Sequence, residues 1–122
     1  MGSRIRYALI GLALLVPQVA SARAVQMMES TPKAESIVDG RHERYIVRFD
    51  GPVDHRASSL RILHDGRLVR TLHPLLNAAP EVLFASTPRL PAGDYELAWS
   101  AKSAPDEETT DGSVHFTVRS QR

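Results

Sequence analysis

Apolar residues recur at every second position in run after run of this chain, and that period constrains its fold more than any other feature. In "ERYIVRFD" (residues 43–50), Tyr45, Val47 and Phe49 share one face, while Arg44, Ile46 and Arg48 share the other. "DYELAWS" (94–100) aligns Tyr95, Leu97 and Trp99, and "SVHFTVRS" (113–120) aligns Val114, Phe116 and Val118. Successive side chains of a β-strand point to opposite faces, so this alternation marks half-buried strands. "EVLFAS" (81–86) reads as a further short strand, and Met27 and Met28 fall in a first strand, on opposite faces. "SLRILHDGRLVRTLH" (59–73) places Asp65-Gly66 between two apolar runs, the signature of a hairpin with a type I′ turn. Pro32, Gly40, Gly51-Pro52, Pro74, Pro80, Pro88, Pro91 and Gly93 punctuate the runs and mark strand ends. After the amino-terminal segment, no stretch of ten residues carries a helical stripe. The pattern predicts an all-β domain, an immunoglobulin-like β-sandwich of about seven strands and Greek-key type, with an all-β barrel as the alternative.

The amino-terminal segment reads differently. Arg4 and Arg6 precede "YALIGLALLV" (7–16), an apolar run too short to span a bilayer as a helix, and Pro17 ends it. "ASARA" (20–24) offers small residues for cleavage after Ala22 or Ala24. Residues 1–24 are therefore expected to be a secretory signal peptide, leaving a periplasmic domain over 25–122 with no membrane span. Of the chain's 15 basic residues, cleavage after Ala24 removes Arg4, Arg6 and Arg23, leaving 12 against 14 acidic ones and moving the formal charge from +1 to −2. No basic tract remains to bind nucleic acid. The chain has no cysteine, which excludes disulfides, thiolate ligands and thiol catalysis, so the core alone must hold the domain.

Candidate chemistry is sparse. His42, His55, His64, His73 and His115 form no H-x-H or H-x-x-x-H pair. A two-residue turn at 65–66 sets His64 opposite Arg67 and His73 opposite Ser58, so the hairpin does not bring those histidines together. His115 falls on the face opposite Val114 and Phe116, towards solvent. Met27 and Met28 do not converge as thioether ligands for Cu(I). No nucleophile elbow or similar signature links a serine to a histidine and an acid, and Lys102, Ser103 and Asp106 share only a loop, so the chain is not expected to be an enzyme. "APDEETTDGS" (104–113) gathers Asp106, Glu107, Glu108 and Asp111 between two strands. Carboxylates alone suit hard cations, yet the spacing lacks the glycine and closing glutamate of an EF-hand, and such a run is ordinarily a solvated loop.

The order of segments resembles the bacterial copper-resistance protein C family (CopC-like domains). The family outline has S-x-P near the mature start, a strand ending F-x-x-P-V, a block L-x-x-G-x-Y-x-V-x-W, and a closing G-x-x-x-F-x-V. Here these are Ser30 to Pro32, Phe49 to Val53, Leu90 to Trp99, and Gly112 to Val118. The resemblance implies a small periplasmic β-sandwich acting in copper resistance and copper homeostasis as a binder or carrier, with an inner-membrane copper-transport protein as partner. It also implies a Cu(II) site built from an amino-terminal histidine, through amine and ring, and an Asp-x-His after the tryptophan strand. Those positions fall on Ala24 and on Asp106-Glu107-Glu108, so Asp106 is kept while Ala24 and Glu108 stand where histidines belong. Copper binding is then expected to be weakened, through Asp106, Glu108 and the free amine of Arg23 or Val25. The alternative is a metal-free periplasmic interaction module on the same sandwich.

Overall fold

A computed structural model describes residues 23–120. Eight strands follow in order: β1 (Met27–Thr31), β2 (Ser36–Asp39), β3 (Arg44–Phe49), β4 (Ser59–His64), β5 (Arg67–Leu72), β6 (Val82–Ser86), β7 (Gly93–Lys102) and β8 (Thr109–Arg119). They form a three-stranded sheet ordered β1-β3-β6 and a five-stranded sheet ordered β2-β8-β7-β4-β5. All pairings are antiparallel except β2 with β8, which is parallel. Apart from Arg23 and Ala24, the expected signal peptide lies outside the described residues. Among the described residues no helix is long and apolar enough to cross a membrane.

The alternation becomes the core. Tyr45, Val47 and Phe49 of β3 face Leu97, Trp99 and Phe116 across the sandwich, and all are buried. Trp99 meets Phe49 edge-on, with ring centroids 6.3 Å apart, and Tyr95 stacks on Phe116 at 5.8 Å. Both arrangements suit the aromatic quadrupole. Trp99 pairs across the strands with Gly112, and its indole lies over that glycine. A Cβ on Gly112 would stand 2.7 Å from Trp99 Cε2 and 2.9 Å from Nε1, so only glycine leaves room for the ring. Ser30 is buried and its hydroxyl donates to the Pro32 carbonyl at 2.8 Å, which fixes the chain as it leaves β1. Between β1 and β2 the chain crosses from one sheet to the other. Glu35 takes a positive φ of 59° there, and its N–H donates to the His115 carbonyl of β8 at 2.7 Å.

Three details depart from the sequence reading. First, β2 was not anticipated: it has four residues, its Ile37 is exposed, and so short a strand shows too little alternation to be read. Second, the hairpin turns at Asp65-Gly66 with φ of 52° and 77°, as a type I′ turn requires, and His64 pairs with Arg67 as expected. A bulge between Ile62 and Leu63 then shifts the register by one, so Leu72 faces Leu60, and His73, beyond the end of β5, does not lie opposite Ser58. Third, the acidic loop is shorter than residues 104–113. β7 runs on to Lys102 and β8 begins at Thr109, which puts Asp111 inside a strand, paired with Ser100. The start of β8 is polar and carries Gly112, so it lacks the apolar beat that reveals a strand.

Candidate functional site

The loop between β7 and β8 is built around Ser103, which is buried. Its N–H donates to the Glu108 carbonyl at 2.8 Å, its carbonyl accepts from the Glu107 N–H at 2.9 Å, and its hydroxyl accepts from the Asp106 N–H at 3.3 Å. Glu107 takes a positive φ of 60° to close this turn, and its carboxylate stands 3.9 Å from Lys102 Nζ. The stretch after β3 props the loop from beside it. Val53 bridges Ser103, and the Ala104 N–H donates to the Pro52 carbonyl at 3.0 Å. The F-x-x-P-V block therefore sets where Asp106 sits, through backbone contacts.

The amino-terminal residues complete a shallow pocket of about 230 Å³, lined by residues 23–25, 50–52, 103, 105 and 106. The Arg23 N–H donates to Asp106 Oδ2 at 3.2 Å. The Arg23 guanidinium pairs with Asp50 Oδ2 at 2.5 Å, and the other Asp50 oxygen accepts from the Gln26 N–H at 2.9 Å. Val25 is buried in the core and anchors the segment. The structure thus places Asp106 beside the amino-terminal residues, while Ala24 lines the same pocket with a side chain that offers no donor atom. Glu108 is exposed, and its backbone carbonyl, accepting from Ser103, is what ties it to the loop.

No histidine lines this pocket. His55 Nε2 lies 2.9 Å from the Val82 carbonyl and 3.1 Å from that of Ala79. His64 Nδ1 meets the Asp94 carbonyl at 2.7 Å, and His42 packs edge-on against Tyr45 at 5.0 Å. His115 faces outward as expected, 3.9 Å from Glu96. Met27 packs against the core and Met28 is exposed, so the two thioethers diverge. Among the described residues no three His, Cys, Asp or Glu side chains gather in a group that could hold a metal ion. The donors at the pocket are carboxylate oxygens and one backbone nitrogen, which gains the character of an amine ligand only where the chain begins at Arg23. Asp50 and the Arg23 side chain went unremarked in the sequence. Asp50 is a variable position within the F-x-x-P-V block, and pairing across 27 residues leaves no local signal.

Two sheets packed face to face around one core, joined by crossovers, define an immunoglobulin-like β-sandwich. The chain belongs to the CopC domain family, whose sequence model matches residues 27–119. It is similar in structure to CopC from Methylosinus trichosporium OB3b, with a TM-score of 0.74 and 27% identity over 80% of this chain and 96% of that one. It shares its fold with PcoC, a methionine-rich copper resistance protein from Escherichia coli, with a TM-score of 0.68 and 24% identity over 80% of this chain and 100% of that one. Comparison with curated proteins gave no match.

Proposed function

We propose that this chain is an exported, periplasmic copper-resistance protein that binds or carries copper through a weakened site, and that it is not an enzyme. The observation that carries this reading is the Arg23 nitrogen, 3.2 Å from Asp106. Processing after Ala22 turns that nitrogen into the α-amine, beside a carboxylate. An amine and a carboxylate are two of the donor types that tetragonal Cu(II) accepts, and Glu108, in the same loop, supplies a further oxygen. Without an imidazole the site binds loosely, as suits a protein that passes copper on to an inner-membrane transport protein. Cu(II) and Cu(I) titration of the processed protein, in competition with a chelator, tests it. Weak Cu(II) binding that Asp106→Asn abolishes is expected. Glu108→His, in a chain beginning with histidine at position 24, should tighten binding by well over tenfold, given the nitrogen preference of Cu(II). Tight binding by the unaltered protein, unmoved by these changes, overturns the site.

A second reading is a metal-free interaction module. It is favoured by the Arg23 guanidinium, which already neutralises Asp50 in the pocket, and by the lack of a three-ligand group among the described residues. Absence of any copper effect at physiological pH would select it.

A further inference from the structure

The β4–β5 hairpin ends the five-stranded sheet, and among the described residues β5 has a partner strand on one side only. Residues 67–71 of β5 are all exposed. Of the six large apolar side chains exposed among the described residues, four — Leu68, Val69, Leu75 and Leu76 — fall along this strand and the segment after it. That segment turns to the edge of the other sheet, where the Leu75 N–H donates to the Phe84 carbonyl at 2.8 Å. An open groove of about 460 Å³ lies between residues 69–73 and 86–88.

Charge sets this edge apart. All 14 carboxylates of the chain lie outside residues 66–80, a stretch that carries Arg67, Arg70 and His73. Elsewhere Arg23, Arg48, Arg89 and Lys102 each have a carboxylate partner, while Lys33, Arg41, Arg44, Arg56 and Arg119 have none among the described residues, so this edge is set apart by its run of cations with no acid between them. Arg61, Arg67 and Arg70 of the hairpin form no ion pair with a described residue, and the buried Arg61 Nε has no hydrogen-bond partner.

We infer that the β5 edge docks an extended, acidic and apolar segment of another protein as a sixth strand. The open side of β5 offers backbone donors and acceptors to a guest strand, the exposed apolar side chains give it area, and the unpaired arginines select its charge. A second copy of this chain is disfavoured. Two-fold antiparallel pairing of β5 with itself, centred between Leu68 and Val69, would set Arg67 of each copy opposite Arg70 of the other, and any register of that pairing brings four arginines to one seam, where like charges destabilise. The surface is separate from the Asp106 pocket and stands independently of the copper reading.

The test uses the processed protein and two labelled eight-residue peptides, one alternating Glu with Val and one alternating Lys with Val, followed by fluorescence anisotropy at low salt. The Glu-Val peptide should bind at least about tenfold tighter, as several unpaired cations acting together imply. Its binding should weaken with salt and shift the backbone amide NMR signals of residues 67–71. Arg67→Glu/Arg70→Glu, both at exposed positions, should reverse the preference while leaving the melting temperature near that of the parent. Equal binding of both peptides, no binding, or shifts confined to other strands would overturn the inference. So would a β5-mediated dimer in sedimentation, or adsorption to phosphatidylglycerol vesicles that the Glu-Val peptide does not displace.

Discussion

Trp99 and Gly112 show what a residue-level contact demands. The indole fills the space a Cβ at 112 would need, so the closing motif's glycine is there for the tryptophan of the preceding strand. Trp99→Ala should cost about 3–5 kcal/mol, as large aromatic deletions do, and leave little folded protein. Gly112→Ala should cost about 1–3 kcal/mol by overpacking. In a Trp99→Leu background the Gly112→Ala penalty should shrink, a coupling that chemical denaturation of the four variants measures. Tyr45 makes a different prediction. Burial, and secondarily the nearby Tyr95, push its phenol up to about 12, and its hydroxyl has no hydrogen-bond partner. The folded state then keeps a proton that the unfolded chain releases near pH 10. The resulting stability is whole below pH 10 and is lost as pH climbs through 12, roughly 2–3 kcal/mol in all. Tyr45→Phe should remove most of that alkaline loss and leave neutral-pH stability unchanged or slightly higher, in melts run from pH 8 to 12. Burial pushes the Tyr95 phenol up as well, so a smaller slope should persist. The burial of Trp99 and Tyr45 was legible in the alternation. The Arg23–Asp50 pair was not, because it joins exposed residues far apart in the chain.

At the scale of elements, strands whose two faces differ in polarity were legible, and those whose faces do not were missed. β3, β7 and the second half of β8 bury one face each and were read in register. β2 and the first half of β8 are too short or too polar to show a period, so the loop at Asp106 was drawn too long. Its acidity was legible, and its closeness to the amino-terminal residues rested on family likeness. Ser103 holds it as a closed turn, so its carboxylates are presented by a rigid backbone. Thermal unfolding at matched ionic strength should show Cu²⁺ raising the melting temperature slightly, by mass action on the folded state, while Ca²⁺ and Mg²⁺ do not. The copper effect should fade as acid protonates the ligands, and Asp106→Asn/Glu108→Gln should abolish it. Equal stabilisation of both proteins by Cu²⁺ would move the site to a histidine elsewhere.

For the whole molecule, the place where the chain begins matters. A chain starting at Arg23 keeps both the Asp50 and the Asp106 contacts. One starting at Val25 loses both and puts a charged amine on a residue buried in the core. The shorter form should melt several degrees lower, as loss of about 1–2 kcal/mol implies for a domain near 100 residues. Intact-mass analysis of the protein isolated from cells, with melts of the two forms, checks this. The amino-terminal fifth of the domain spans both sheets: β1 joins β3 in one, and β2 joins the last strand, β8, in the other. This lacing ties folding to delivery. A polypeptide that emerges amino-terminus first, from a ribosome or through a narrow membrane pore, cannot fasten β2 until its final residues are free. Until then β2 has no partner strand, so the five-stranded sheet is completed last.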